Sequence, residues 1–138
     1  MRIPGWKNAP TAANGGMRGT DLMPPTNQRG FYPVFSATAG TVEHMGWLQK
    51  GGWRIGIRSK QGGYFYYAHL SEYAPGMEEG KTVEAGEMLG YMGDSGYGEE
   101  GTVGQFAVHL HFGIYIQTAD GQEVSVDPYW ILKGLEGE

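Results

Sequence analysis

The most strand-like stretch of this chain is Val108-His109-Leu110-His111-Phe112-Gly113-Ile114-Tyr115-Ile116. Apolar residues at every second position alternate with His109, His111, Gly113 and Tyr115, and side chains on a strand alternate between its two faces. The two histidines are therefore expected on one face, about 7 Å apart along the strand, while the apolar side chains enter a core. Two imidazoles on one rigid strand suit metal ligation and proton transfer. An isolated His-x-His is more often a pair of surface histidines, so the rest of the chain has to decide.

Shorter alternating runs, separated by glycine-containing turns, predict further strands. They cover residues 31–36, 41–47, 53–59 and 64–70. Gly51-Gly52 and Gln61-Gly62-Gly63 separate the last three runs, which predicts an antiparallel meander. Pro33 lacks a backbone N–H and places the first run at a sheet edge. Glycines within residues 81–93 favour short β segments that cross at corners rather than a helix.

The two ends of the chain have different patterns. Residues 1–16 are expected to be irregular, and proline and glycine remain frequent up to about residue 30. Near the other end, Asp127-Pro128 is a typical helix start, with aspartate as the N-cap and proline at the first helical position. A short C-terminal helix is therefore predicted.

Composition narrows the class of protein. The chain has 138 residues, which suits one domain spanning residues 1–138, and 25 of them are glycine, far above the usual ~7%. Spread through the chain, these glycines indicate a β-rich fold with many tight turns. The net charge of −5 argues against nucleic acid as a partner. Because there is no cysteine, disulfides, thiolate catalysis and cysteine-based zinc sites are excluded.

The sequence predicts neither a membrane span nor a signal peptide within these residues. No apolar run is long enough to span a bilayer, so no transmembrane segment is expected. Met1 to Trp6 has no apolar central region and does not match a signal peptide. This leaves open whether the chain is a domain cut from a longer exported protein.

Four motifs occur in one order along the chain and are specific in combination, although each alone is weak. They are Tyr67-Ala68-His69-Leu70-Ser71, Val83-x-Ala85-Gly86-x-x-Leu89-Gly90, Gly93-x-Ser95-Gly96 and His109-Leu110-His111-Phe112. Gly40-Thr41-Val42 and Val126-Asp127-Pro128 also match. Together they resemble the lysostaphin-like (LytM-type) zinc endopeptidases that cut peptidoglycan peptides, over about residues 17 to 132. The resemblance implies a mainly β fold: a twisted antiparallel sheet or sandwich of the LytM (duplicated hybrid motif) type, with an open groove and a short C-terminal helix.

The resemblance also implies roles for individual residues. His111 and Asp21 match two zinc ligands of the family, and His109 and His69 match its two non-ligand histidines near the metal. His109 shares a strand face with His111 and is the better candidate for the base that takes a proton from water, with His69 as the stabiliser of the oxyanion. These two roles could be exchanged. The implied substrates are peptidoglycan cross-bridge or stem peptides, and the implied location is extracellular or the cell envelope of a bacterium.

One position departs from the family pattern. In the family motif His-x-Gly-x-Asp the first residue is a zinc ligand, whereas the aligned segment here is Met17-Arg18-Gly19-Thr20-Asp21. A thioether is soft and favours Cu(I) over Zn²⁺, so Met17 is expected to weaken zinc binding. Four residues elsewhere are the obvious replacements for the lost ligand, and their spacing favours none of them. They are His44, Asp94, Glu99 and Glu100.

Three hypotheses follow from this pattern. The first is a zinc endopeptidase with an altered ligand set, which the presence of Asp21, His69, His109 and His111 favours. The second, which Met17 favours, is a pseudopeptidase of the same fold that binds peptidoglycan or a partner protein without turnover. The third is a site for another metal such as copper.

Overall fold

The computed structural model describes residues 7–10, for which only the backbone is considered, and residues 19–127. Ten β-strands are found in this part of the chain, and no helix. In order they are β1 (Lys7–Pro10), β2 (Thr20–Met23), β3 (Pro33–Phe35), β4 (Gly40–Leu48), β5 (Gly52–Ser59), β6 (Tyr64–Tyr73), β7 (Thr82–Val83), β8 (Met88–Met92), β9 (Leu110–Gln117) and β10 (Glu123–Val126).

The strands form one sheet whose main path runs β1-β2-β9-β6-β5-β4-β7, and every pairing in it is antiparallel. Neighbouring β4, β5 and β6 are the predicted meander, so the expected mainly β, antiparallel fold is confirmed. The strand β9 lies between β2 and β6, which brings the first described strands against the middle of the sheet. The His-x-His strand is therefore a central strand.

A second limb of the sheet, formed by β8 and β3, pairs with the C-terminal end of β6. There β8 pairs with residues Leu70 to Tyr73 of β6, and β3 pairs with β8 alone. Pro33 of β3 thus lies at an edge, as its missing N–H requires. The limb starts directly after His69, whose backbone is left-handed with φ of 66°. This bend of β6 turns the chain from one ladder into the other.

The core lies on the face of the sheet opposite His111. Phe112 and Ile114 of β9 and Tyr67 of β6 are almost completely buried there, next to Ile55 and Ile57 of β5. The core therefore supports the site strand from beneath.

The alternation in β9 correctly predicted that Leu110, Phe112 and Ile114 are buried, because a strand with one face on the core keeps a period of two. The prediction was wrong for Ile116, which is 44% exposed near the end of the strand.

At the chain ends, one expectation is wrong and one strand was not predicted. Residues 1–16 were expected to be irregular, but 7–10 form β1, which pairs with β2 in the next stretch of low periodicity. Short strands at a sheet edge tolerate proline, so Pro10 did not prevent this pairing. The sequence also gave no signal for β10, which pairs with β9. The predicted helix from Asp127-Pro128 lies outside the described residues.

The described residues contain no helix that is long and apolar enough to span a bilayer.

Candidate active site

Two predicted metal ligands face each other across neighbouring strands. Asp21 of β2 is the direct register partner of His111 of β9, and His111 Nδ1 lies 2.9 Å from Asp21 Oδ1. The His111 side chain is 1% exposed, whereas that of Asp21 is 26% exposed. An imidazole nitrogen and a carboxylate oxygen, held side by side, are donor types that zinc prefers.

The second histidine of the pair reaches the same carboxylate. His109 lies just before β9 and forms an isolated bridge with Gly93. Its Nδ1 atom is 2.8 Å from the carbonyl oxygen of Ala107, and its Nε2 atom is 3.7 Å from Asp21 Oδ1. The prediction that His109 and His111 lie together is thus correct, and Asp21 is the group between them.

His69 completes the cluster from the strand on the other side of β9. Its ring centre is 4.8 Å from that of His109 and 6.0 Å from that of His111. Burial, with the neighbouring His109 as the next cause, lowers the pKa of His69 to about 4, so this imidazole is neutral near pH 7. The sequence placed all four residues in one site, and the structure brings them together.

The neighbouring histidines stabilise the negative charge of Asp21. Burial by itself raises the pKa of Asp21, but the hydrogen bond from His111 and the nearby His109 outweigh burial, and the pKa lies below its ordinary value. Asp21 is therefore an anion at neutral pH, as a carboxylate ligand must be.

None of the four residues that could have replaced the missing ligand is bonded to the site residues. Asp94 is buried and bonded by the guanidinium of Arg29, with Nε 2.6 Å from Oδ1. His44 lies on β4, three strands from β9, or about 14 Å at the spacing of neighbouring strands, and its Nδ1 is 3.0 Å from the Tyr64 hydroxyl. Neither can complete the site. Glu99 and Glu100 are exposed in the loop after β8, and no hydrogen bond joins their side chains to the four site residues.

The donor set fits zinc only in part within the described residues. Asp21 and His111 suit two of the three protein ligands of a catalytic zinc site. No group of three or more histidine, aspartate or glutamate side chains in residues 19–127 has the arrangement of a metal site. The sequence predicts Met17 at the third position, and Met17 lies outside the described residues.

The loop before β9 was expected as a wall of the substrate groove, but the aromatic contacts that it makes with the histidines were not predicted. Phe106 packs 4.5 Å from the His69 ring and 5.1 Å from the His109 ring, measured between centres, and Tyr97 stacks on His69 at 6.1 Å. Tyr97 has a left-handed backbone, with φ of 56°, and its side chain is half exposed. No periodic pattern marks residues 97–106 in the sequence. The preceding Gly93-x-Ser95-Gly96 motif was the only available signal.

Comparison with known proteins identifies the family. A family profile described as Peptidase family M23 matches residues 15–128. The chain belongs to peptidase family M23. This membership agrees with the resemblance carried by the four motifs, and it covers the whole described site.

Individual M23 relatives are similar over most of this chain. An L-Ala–D-Glu endopeptidase of Bacillus subtilis is 47% identical over 104 residues, which are 75% of this chain and 32% of the relative. A crystal structure of a candidate glycyl-glycine endopeptidase LytM from Ruminococcus gnavus shares 57% identity with a TM-score of 0.81, covering 87% of this chain and 47% of that one. The catalytic domain of lysostaphin from Staphylococcus simulans shares 30% identity with a TM-score of 0.64, covering 94% and 89%. The chain thus spans about a third of the B. subtilis relative.

Proposed function

We propose that this M23 domain is a zinc-dependent endopeptidase that hydrolyses peptidoglycan cross-bridge or stem peptides, outside the cell or in the envelope of a bacterium. The observation that carries the proposal is the convergence of Asp21, His69, His109 and His111, from three neighbouring strands, on one cluster. The printed names of the relatives support a peptide substrate: an L-Ala–D-Glu endopeptidase and lysostaphin.

Each residue of the cluster has a distinct task in this proposal. Asp21 and His111 hold the metal, and zinc when bound supplies Lewis acidity toward water and a peptide carbonyl. One of the two other histidines, His69 or His109, takes the proton of the attacking water. The remaining histidine stabilises the charge that develops on the carbonyl oxygen. Phe106 packs on both rings and excludes water from one side of them.

The experiment combines metal analysis with peptide hydrolysis. The purified chain is assayed for bound zinc and then incubated with a stem peptide containing L-Ala–D-Glu and with a glycine-rich bridge peptide, and the products are identified by mass spectrometry. His109→Ala is expected to abolish cleavage, whereas His44→Ala, a matched exposed histidine on β4, keeps it. Absence of both bound zinc and cleavage, even with added zinc, would overturn the proposal.

A second candidate function rests on Met17. Its thioether replaces the family's histidine ligand, which favours a pseudopeptidase that keeps the fold and binds peptidoglycan or a partner protein. The same preparation distinguishes the two functions. Saturable binding to isolated peptidoglycan without any cleavage at added zinc supports this second function, whereas cleavage excludes it.

A further inference from the structure

We infer that Ser95 is a positioning residue of the site, because it fixes His69 in the tautomer that carries its hydrogen on Nδ1 and leaves Nε2 to accept a proton. Neither the motif analysis nor the family membership assigns this role. The catalytic consequence rests on the proposed function, but the tautomer does not depend on it.

The main-chain carbonyl of Ser95 determines the tautomer. Its oxygen lies 2.7 Å from Nδ1 of His69, and a carbonyl oxygen can only accept a hydrogen bond. Nδ1 must therefore donate, and in a neutral imidazole the other nitrogen is then an acceptor.

The Nε2 atom of His69 is open for such a role. It makes no hydrogen bond to any residue in 19–127, and no fully buried side-chain nitrogen or oxygen in that range lacks a partner. Nε2 must therefore touch solvent, although the His69 residue as a whole is only 1% exposed. A neutral imidazole with one bonded and one accessible nitrogen is arranged as a proton acceptor.

The Ser95 hydroxyl holds that carbonyl in place. Its Oγ donates to the carbonyl oxygen of Leu70 at 2.7 Å and accepts from the backbone N–H of Trp53 at 3.1 Å. These partners belong to β6 and β5, and Leu70 directly follows His69. Ser95 itself is fully buried. The hydroxyl thus joins the bent part of β6 to its neighbour, at the point where the His69 side chain must be aimed.

Two glycines show how closely the chain packs around Ser95. A Cβ on Gly52, which has φ of 66°, would lie 2.4 Å from the Ser95 carbonyl. A Cβ on Gly96, with φ of 127°, would lie 2.3 Å from the Lys50 carbonyl oxygen and 3.1 Å from His69 Nδ1. The contacts at 2.4 Å and 2.3 Å are shorter than real Cβ contacts, so the backbone on both sides of Ser95 is closely packed.

The geometry changes the role expected for His69. In this tautomer neutral His69 has no N–H on Nε2 and cannot donate a hydrogen bond from there to an oxyanion. It can take a proton from water on Nε2, which gives an imidazolium whose Nδ1–H remains bonded to the Ser95 carbonyl. His109 Nδ1 also faces a carbonyl oxygen, that of Ala107 at 2.8 Å, so the same tautomer leaves Nε2 of both histidines able to accept a proton. The expected role of His69 therefore changes from oxyanion stabiliser to proton acceptor.

The first test reads the tautomer directly and needs no activity. Long-range ¹H–¹⁵N spectra of the ¹⁵N-labelled chain at neutral pH are expected to show His69 with protonated Nδ1 and bare Nε2. Ser95→Ala should give a mixture of tautomers. Ser36→Ala is the matched control, because Ser36 is also fully buried and donates from Oγ to a carbonyl, that of Thr38, at 2.6 Å. A protonated Nε2 in the wild type, or an unchanged spectrum in Ser95→Ala, overturns the inference.

The second test separates positioning from simple stability. Both serine variants are expected to lower the melting temperature, but only Ser95→Ala should lower kcat, by about 10-fold or more with little change in KM, since a positioned proton acceptor contributes 10²–10⁴-fold. Ser95→Cys, which keeps a weak donor, should recover part of kcat. Equal kcat in Ser95→Ala and Ser36→Ala overturns the role of Ser95. If the wild type cleaves nothing, the proposed function fails, and the spectra alone decide the tautomer.

Discussion

The Nδ1 atom of His111 lies 2.9 Å from Oδ1 of Asp21, although the two residues are 90 positions apart in the chain. They are direct register partners on β9 and β2. Pairing of an early strand with the central His-x-His strand therefore places this carboxylate and this imidazole side by side. The affinity of the chain for zinc should depend on this pair above all.

Replacing Asp21 by asparagine should weaken zinc binding. The variant keeps an oxygen at the same place but loses the negative charge, and even residues that only support a ligand typically cost 10–100-fold in metal affinity when changed. We expect a loss of at least about 10-fold by isothermal titration of the metal-free chain. Asp120→Asn, in an exposed turn, is the control and should bind zinc like the wild type. Equal affinities of the Asp21 variant and the wild type would contradict the assignment.

Met17→His should strengthen zinc binding. The change restores the histidine of the family motif, so three ligands of ordinary zinc type would be available, and a third ligand completes the usual catalytic set. The expected gain in affinity is about 10-fold or more, with a parallel gain in cleavage rate if the other site residues are intact. Met17→Leu removes the sulfur at similar volume and should leave zinc affinity unchanged. A large loss in Met17→Leu would instead show that the thioether is a ligand.

The sequence predicted the site strand well because its signal is local. The alternation of Leu110, Phe112 and Ile114 with the histidines needs only a period of two and one buried face. The bend at His69 could not be predicted, since a left-handed backbone at a non-glycine residue has no periodic signature and is held by partners elsewhere in the chain. Ser95 is 26 positions away from His69 and acts partly through its main-chain carbonyl, which no residue type can reveal.

The sequence also could not choose among the candidate replacements for the missing zinc ligand. The structure excludes Asp94 and His44 as ligands, because Asp94 is bonded to Arg29 and His44 to Tyr64. Such contacts join residues 65 and 20 positions apart. Composition and spacing describe which side chains are available for a site, but only the pairing of strands decides which of them meet.

Gly52→Ala should cost much more stability than Gly62→Ala. Both glycines have positive φ, 66° and 97°, so both variants pay about 1–3 kcal/mol for a left-handed backbone. Only at Gly52 would the new Cβ also collide with Ser95, whereas Gly62 has nothing within 4 Å. We expect an additional loss of about 1–3 kcal/mol at Gly52 from overpacking, measured by urea unfolding. Equal losses would show that the backbone around Ser95 yields easily, which would also weaken the case for a fixed carbonyl.

Tyr67→Phe should lower stability at neutral pH and make the protein less sensitive to alkali. The Tyr67 hydroxyl accepts the N–H of Ala37 at 2.8 Å, and loss of one such hydrogen bond costs about 1 kcal/mol. Burial raises the pKa of Tyr67 from 10.0 to about 12. Between these values the unfolded chain has lost the phenol proton and the folded chain has kept it, so the free energy of unfolding falls as pH rises, by up to about 1.4 kcal/mol per pH unit for this residue. Urea unfolding of both proteins between pH 8 and pH 11 measures the effect: the two curves should converge above about pH 10, and a constant difference across the range would show that Tyr67 is ionised as easily in the folded chain as in the unfolded one.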